Sequence, residues 1–105
     1  MNNPSKLELE FRKDMLEIYR NAKEKCAYNA TRFLQMVSTN GGLKTAHVLL
    51  STNDPSDGFS RLWECGRLDL NVEYLVLDPK YLLHFSNEEI FVAKSRLNDY
   101  GFSRS

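Results

Sequence analysis

Asp69-Leu70-Asn71-Val72-Glu73-Tyr74-Leu75-Val76-Leu77, closed off by Asp78-Pro79, is the stretch on which the fold turns. Read as a helix, one face carries Leu70, Tyr74 and Leu77 and the other carries Val72, Leu75 and Val76, so little more than Asn71 and Glu73 is polar. A helix that is apolar on nearly every side belongs at the buried centre of a domain. The β-branched residues here would also suit a strand, but no second segment shows the clean period-two alternation needed to pair with it. The stretch is therefore read as helix, capped by Asp69, and the chain as all-α.

Working outward supports that reading. From Ser5 to about Ala27 the apolar residues Leu7, Phe11, Met15, Ile18 and Ala22 recur in steps of four, four, three and four, one stripe of a long N-terminal helix among charged neighbours. Asn29 to Asn40 repeats the pattern with Ala30, Phe33 and Val37, and Gly41-Gly42 stops it. Leu43, Ala46 and Leu50 share a third face, and Asn53-Asp54-Pro55-Ser56-Asp57-Gly58 is dense in turn formers. Asp57 is expected to cap a short helix in which Phe59, Leu62 and Trp63 align, with Trp63 in the main core and Gly66 ending the helix in a left-handed conformation. Beyond Pro79, Lys80 to Phe85 is read as one turn. Ser86-Asn87-Glu88-Glu89 has the spacing of a capping box, which opens a last helix closed by Gly101. The whole is one compact domain of five or six helices spanning residues 1–105, with a long N-terminal helix, a buried central helix near 69–77, and frayed ends at 1–4 and 103–105.

Composition limits the function. Lysine plus arginine equals aspartate plus glutamate at 14 each, so no global field draws the chain to nucleic acid or an anionic surface. No apolar run approaches the roughly 20 residues of a membrane span, and the polar start does not resemble a secretory signal, so the expected location is cytoplasmic. In that compartment the isolated Cys26 and Cys65 read as free thiols rather than a disulfide or a zinc site.

Tyr28-Asn29, Arg32-Phe33, Met36, Gly41-Gly42, Gly58-Phe59, Leu62-Trp63-Glu64, Gly66-Arg67-Leu68-Asp69-Leu70 and Val72-Glu73 together resemble a family of small all-helical bacterial proteins, over roughly residues 27 to 101. Ala30 stands where that family carries proline, and the long N-terminal helix lies outside the matched region. The resemblance implies a helical fold; it implies no activity, cofactor or catalytic residue.

The densest set of charges is Arg61, Glu64, Arg67, Asp69 and Glu73, which suits an anion or carbohydrate site anchored by Arg67, or a carboxylate pair for acid/base work. The plainer reading has Asp69 capping its helix while Arg67 and Glu73 tie the junction together. Residues 59–77 also have the spacing of a helix-turn-helix, but Asn71, Glu73 and Tyr74 on an apolar surface are a poor set for reading base edges, so specific duplex DNA binding is not expected. His47, on an apolar stripe, is expected to be a hydrogen-bonded structural residue, and His84 a packing or capping one. No catalytic residue, metal ligand or cofactor stands out. Leu9 and Leu16 project away from the apolar stripe of the first helix and are the candidate interface for a protein partner or a homodimer. The expected function is accordingly a protein-interaction or regulatory module, ahead of a nucleic-acid-associated module using 59–77 and of an enzyme using the Arg67 and Asp69 region.

Overall fold

The computed structural model describes residues 5–102, and the ends expected to fray lie outside them. Among the described residues there are six α-helices and no strand: α1 (Lys6–Cys26), α2 (Thr31–Asn40), α3 (Gly42–Leu50), α4 (Asp57–Glu64), α5 (Val72–Val76) and α6 (Asn87–Asp99). Two 3₁₀ turns, Leu68–Leu70 and Leu82–His84, precede α5 and α6.

α1 lays Phe11, Met15 and Ala22 into the interior, with Leu7 and Ile18 half-buried beside them, as the stripe predicts. Phe11 meets the ring of the fully buried Tyr81 edge-on, with centroids 4.9 Å apart, and the Tyr81 hydroxyl donates to Asp14 Oδ2 at 2.5 Å. The hydroxyl gives that buried ring the polar partner it requires. Between α2 and α3 the two glycines act differently. Gly41 has φ +84°, which suits a residue without Cβ, and ends α2. Gly42 opens α3 against α1 so closely that a Cβ would lie 2.9 Å from the Arg12 Cα.

Both shorter caps differ from expectation. Ser56, rather than Asp57, caps α4, its hydroxyl accepting from the Phe59 N–H. Asn71, rather than Asp69, caps α5, its Oδ1 accepting from the Tyr74 N–H at 2.9 Å. The expected central helix is thereby split into the 3₁₀ turn at 68–70 and five residues of α-helix. It is central all the same: α5 packs on α1, α3 and α6, and Val72 and Val76 belong to the main core. The capping box before α6 is present as read.

Trp63 is a correction. It is 49% exposed, while Phe59 and Leu62 are buried. α4 is two turns long and lies at the margin, so its inner face holds two side chains; Trp63 leaves that face and meets Tyr100 edge-on at 5.2 Å. Cys26 and Cys65 are a second correction, since they form a disulfide joining the ends of α1 and α4. Their separation of 39 residues carries no sign that the two helix ends meet. No described helix is long and apolar enough to cross a membrane.

Two measurements test this arrangement. Phe59→Ala should cost about 3–5 kcal/mol, but Trp63→Ala only about 1 kcal/mol, the worth of an edge-on aromatic pair at a surface; equal losses in denaturant titrations would contradict the placement of α4. Reducing Cys26–Cys65 with dithiothreitol should lower unfolding stability by about 2–4 kcal/mol, because it restores the freedom of a long loop to the unfolded chain.

Candidate functional site

The charges that are close in sequence separate in space. Arg67 and Asp69 form a two-pronged pair, Nε to Oδ1 at 3.0 Å and Nη2 to Oδ2 at 3.1 Å, each a little over a third exposed. The hydrogen bond from Arg67 holds the Asp69 carboxyl below its usual range, and Asp69 in turn raises the guanidinium. A carboxylate matched this way on both oxygens is a structural clasp, not a proton donor. Arg61 lies over the Tyr28 ring, 5.0 Å from its centroid, and Glu64 is exposed.

Glu73 has a different partner altogether. It is 4% exposed and accepts from Arg96 Nη1 at 3.0 Å; Arg96 is 7% exposed and sits on the inner face of α6 with Ala93 and Leu97. Arg96 also donates to the Leu49 carbonyl at 3.0 Å, near the end of α3, and to the Thr52 carbonyl at 2.7 Å. Burial pushes the Glu73 carboxyl up, and the Arg96 hydrogen bond opposes it. One guanidinium thus joins α5, α6, the end of α3 and the loop after it.

Beside this network lies a cavity of about 420 Å³. Ile18 and Ala22 of α1, Phe33 and Met36 of α2, Val48 and Leu49 of α3 and Phe59 and Leu62 of α4 supply its apolar walls. The loop residues Thr52, Pro55 and Ser56 form part of its rim, with Arg32 and Asp57 exposed there. Its buried side is Asn71-Val72-Glu73. Asn71 has committed Oδ1 to the α5 cap, and its Nδ2 is buried with no hydrogen-bond partner. A buried amide N–H left without an acceptor costs about 1–3 kcal/mol; among the described residues His84 Nε2 is likewise buried without a partner.

Of the five charges singled out from sequence as a candidate site, only Glu73 lines the cavity. Arg96, Thr52 and Asn71 were missed as site residues. A faint signal existed for the first: Arg96 shares an apolar stripe with Ala93 and Leu97, and a carboxylate inside Leu70–Leu77 requires a buried cation. His47 is hydrogen-bonded as expected, its Nδ1 2.5 Å from Glu89 Oε2. Burial disfavours the charged form of Glu89, but the His47 contact and the Ser86 N–H outweigh it and hold the carboxyl below its usual range. His84 is half-buried on the 82–84 turn.

α5, the second helix of the 59–77 stretch, is five residues long, and its Val72, Glu73 and Val76 are buried. Leu16 packs against the core, leaving Leu9, 53% exposed, as the outward leucine of the proposed pair. α1, 21 residues and thus about 32 Å long, belongs to a molecule measuring 42 × 29 × 24 Å.

No group of three or more potential metal ligands occurs among the described residues. No family model, no curated protein and no solved structure matches the chain, so the likeness of its Gly58–Leu70 run to small bacterial proteins gains no support.

The network beside the cavity makes a sharp stability prediction. Arg96→Met should cost about 3–5 kcal/mol, because Glu73 is left buried without its cation, and adding Glu73→Leu should recover part of that loss. A double variant less stable than Arg96→Met in urea would show that the pair is not coupled.

Proposed function

We propose that the chain is a regulatory binding module whose ligand seat is the cavity between α2 and α4. The observation that carries this reading is a cavity of about 420 Å³, walled mainly by apolar side chains, with the charge-paired Glu73 and the helix-capping Asn71 on its buried side. Cavities of some 300–1,000 Å³ with mostly apolar walls and a few placed polar groups are the usual form of small-molecule sites. The polar groups here favour binding over catalysis: Glu73 is engaged by Arg96, and Asn71 is fixed through its cap, so each is suited to anchor a molecule rather than to move protons.

A regulatory role follows from what the seat touches. Thr52 belongs both to the cavity wall and to the Arg96 network, so a bound molecule pressing on the loop after α3 also presses on the linkage between α5 and α6. Occupancy is thereby coupled to the outer surfaces of those helices, where a protein partner can read it. The exposed Leu9 on α1 is a separate apolar position open to such a partner.

The test uses 1-aminoanthracene, an uncharged probe whose emission rises in apolar surroundings. The parent protein should bind one equivalent with enhanced emission, and Ala30→Trp, which fills the cavity from its half-buried wall, should lose the enhancement while its circular dichroism stays unchanged. Unaltered probe emission at about 100 μM parent protein, a concentration that detects affinities near −5 to −6 kcal/mol, would defeat the proposal.

A further inference from the structure

We infer that the outward face of α6 is a self-association surface, on which a second copy of this chain packs antiparallel about Phe91. No residue of α6 lines the cavity, so this contact stands apart from the ligand seat.

Phe91 is 70% exposed, and the residues on the opposite side of the helix, Ala93, Arg96 and Leu97, are buried. A lone exposed phenylalanine is ordinary on a folded surface; what gives this one a partner is the charge around it. Glu88 and Lys94 stand three residues before and three after Phe91, which puts each about one turn from the ring, on either side of it and on the same half of the helix. Both are exposed, and neither side chain has an ion-pair or hydrogen-bond partner among the described residues. The face is therefore acidic on one side of its apolar centre and basic on the other.

That pattern is complementary to itself in the antiparallel orientation. When two α6 helices lie antiparallel with their Phe91 rings opposed, each Glu88 is level with Lys94 of the other copy, and a single two-fold operation forms both pairs. A parallel pairing sets Glu88 level with Glu88 and Lys94 level with Lys94, which repel. Opposed rings also make the offset or edge-on contact that aromatic pairs prefer. The rest of the chain does not resist the approach of a copy, since lysine plus arginine and aspartate plus glutamate are 14 each. α6 is fastened from behind, where Arg96 donates to Glu73 and to the Leu49 and Thr52 carbonyls, so an ordered helix presents the face and little freedom is lost on pairing. With 13 residues α6 is about 20 Å long, and one helix pair of that length covers less than the roughly 1,600 Å² of a standard interface. The dimer is accordingly weak, half-formed near about 100 μM.

Sedimentation of the full chain tests this. The parent should pass from monomer at about 5 μM toward dimer at about 500 μM, and Phe91→Ser should weaken association at least about tenfold. Glu88→Lys and Lys94→Glu should each weaken it about five- to tenfold at low salt, because each turns two attractive pairs into two repulsive ones. Combining the two substitutions in one chain exchanges the charges and should bring association back to within about twofold of the parent. Mixing the two single variants should restore it as well, since one chain then carries two positive charges on the face and the other two negative. All three positions are exposed, so circular dichroism should be unchanged. In the parent, ¹H–¹⁵N NMR signals of residues 87–98 should move on dilution while those around Leu9 stay still, a readout that requires no variant. A parent that remains monomeric at about 500 μM would overturn the inference. So would dissociation by Leu9→Glu, which would place the contact on α1, or charge reversals that neither the exchange nor the mixture repairs.

Discussion

The structure depends on a pair of charges placed where water cannot reach them. Removing a carboxylate and a guanidinium from solvent costs several kcal/mol for each, and only a close partner with every donor used offsets it. Glu73 supplies the partner; the Leu49 and Thr52 carbonyls take up further guanidinium hydrogens. Three stretches of chain that are distant in sequence, around Leu49 to Thr52, Glu73 and Arg96, must therefore meet at one side chain. The loop after α3 is held toward α5 and α6 as a result, and the space on its other side, facing α2 and α4, is the cavity.

That arrangement explains why a short helix can be the centre of the fold. Five residues of α-helix have little stability of their own, and what holds α5 is burial of Val72 and Val76 together with polar anchors at its start. Its two polar side chains, which a helical wheel would turn outward, are the ones fixed inside. Glu73 is held from α6, whereas Asn71 is half satisfied: its oxygen serves the helix and its nitrogen serves nothing. Natural interiors rarely leave such a group unmatched, and the imbalance lies where the packing is also incomplete.

The helical periodicities of α1, α2 and α3 were readable because an amphipathic stripe is a local property, repeated every three or four residues and independent of what the stripe packs against. The capping box at Ser86 and the glycine stop at Gly41 were readable for the same reason. Other features were not local. Whether Trp63 or Phe59 fills the core depends on how far α4 extends over its neighbours, and both residues satisfy the same wheel. Cys26 meets Cys65 only because α1 and α4 finish side by side. Asp57 and Asp69 are each adjacent to the true cap or within two residues of it, and the choice between neighbours of equal capping power is made by the path of the incoming chain. The site was the least readable of all, since a cavity is a failure of distant surfaces to touch and leaves no residue pattern of its own.

The Cys26–Cys65 bridge has a topological consequence. It closes a ring of chain that contains α2, α3 and α4, hence most of the cavity wall, and the exposed Asn53–Asp54 turn lies within that ring. A protease that cuts the turn would open the ring without separating the molecule: each fragment retains one sulfur of the bridge, and the two halves remain a single covalent species until the bridge is reduced.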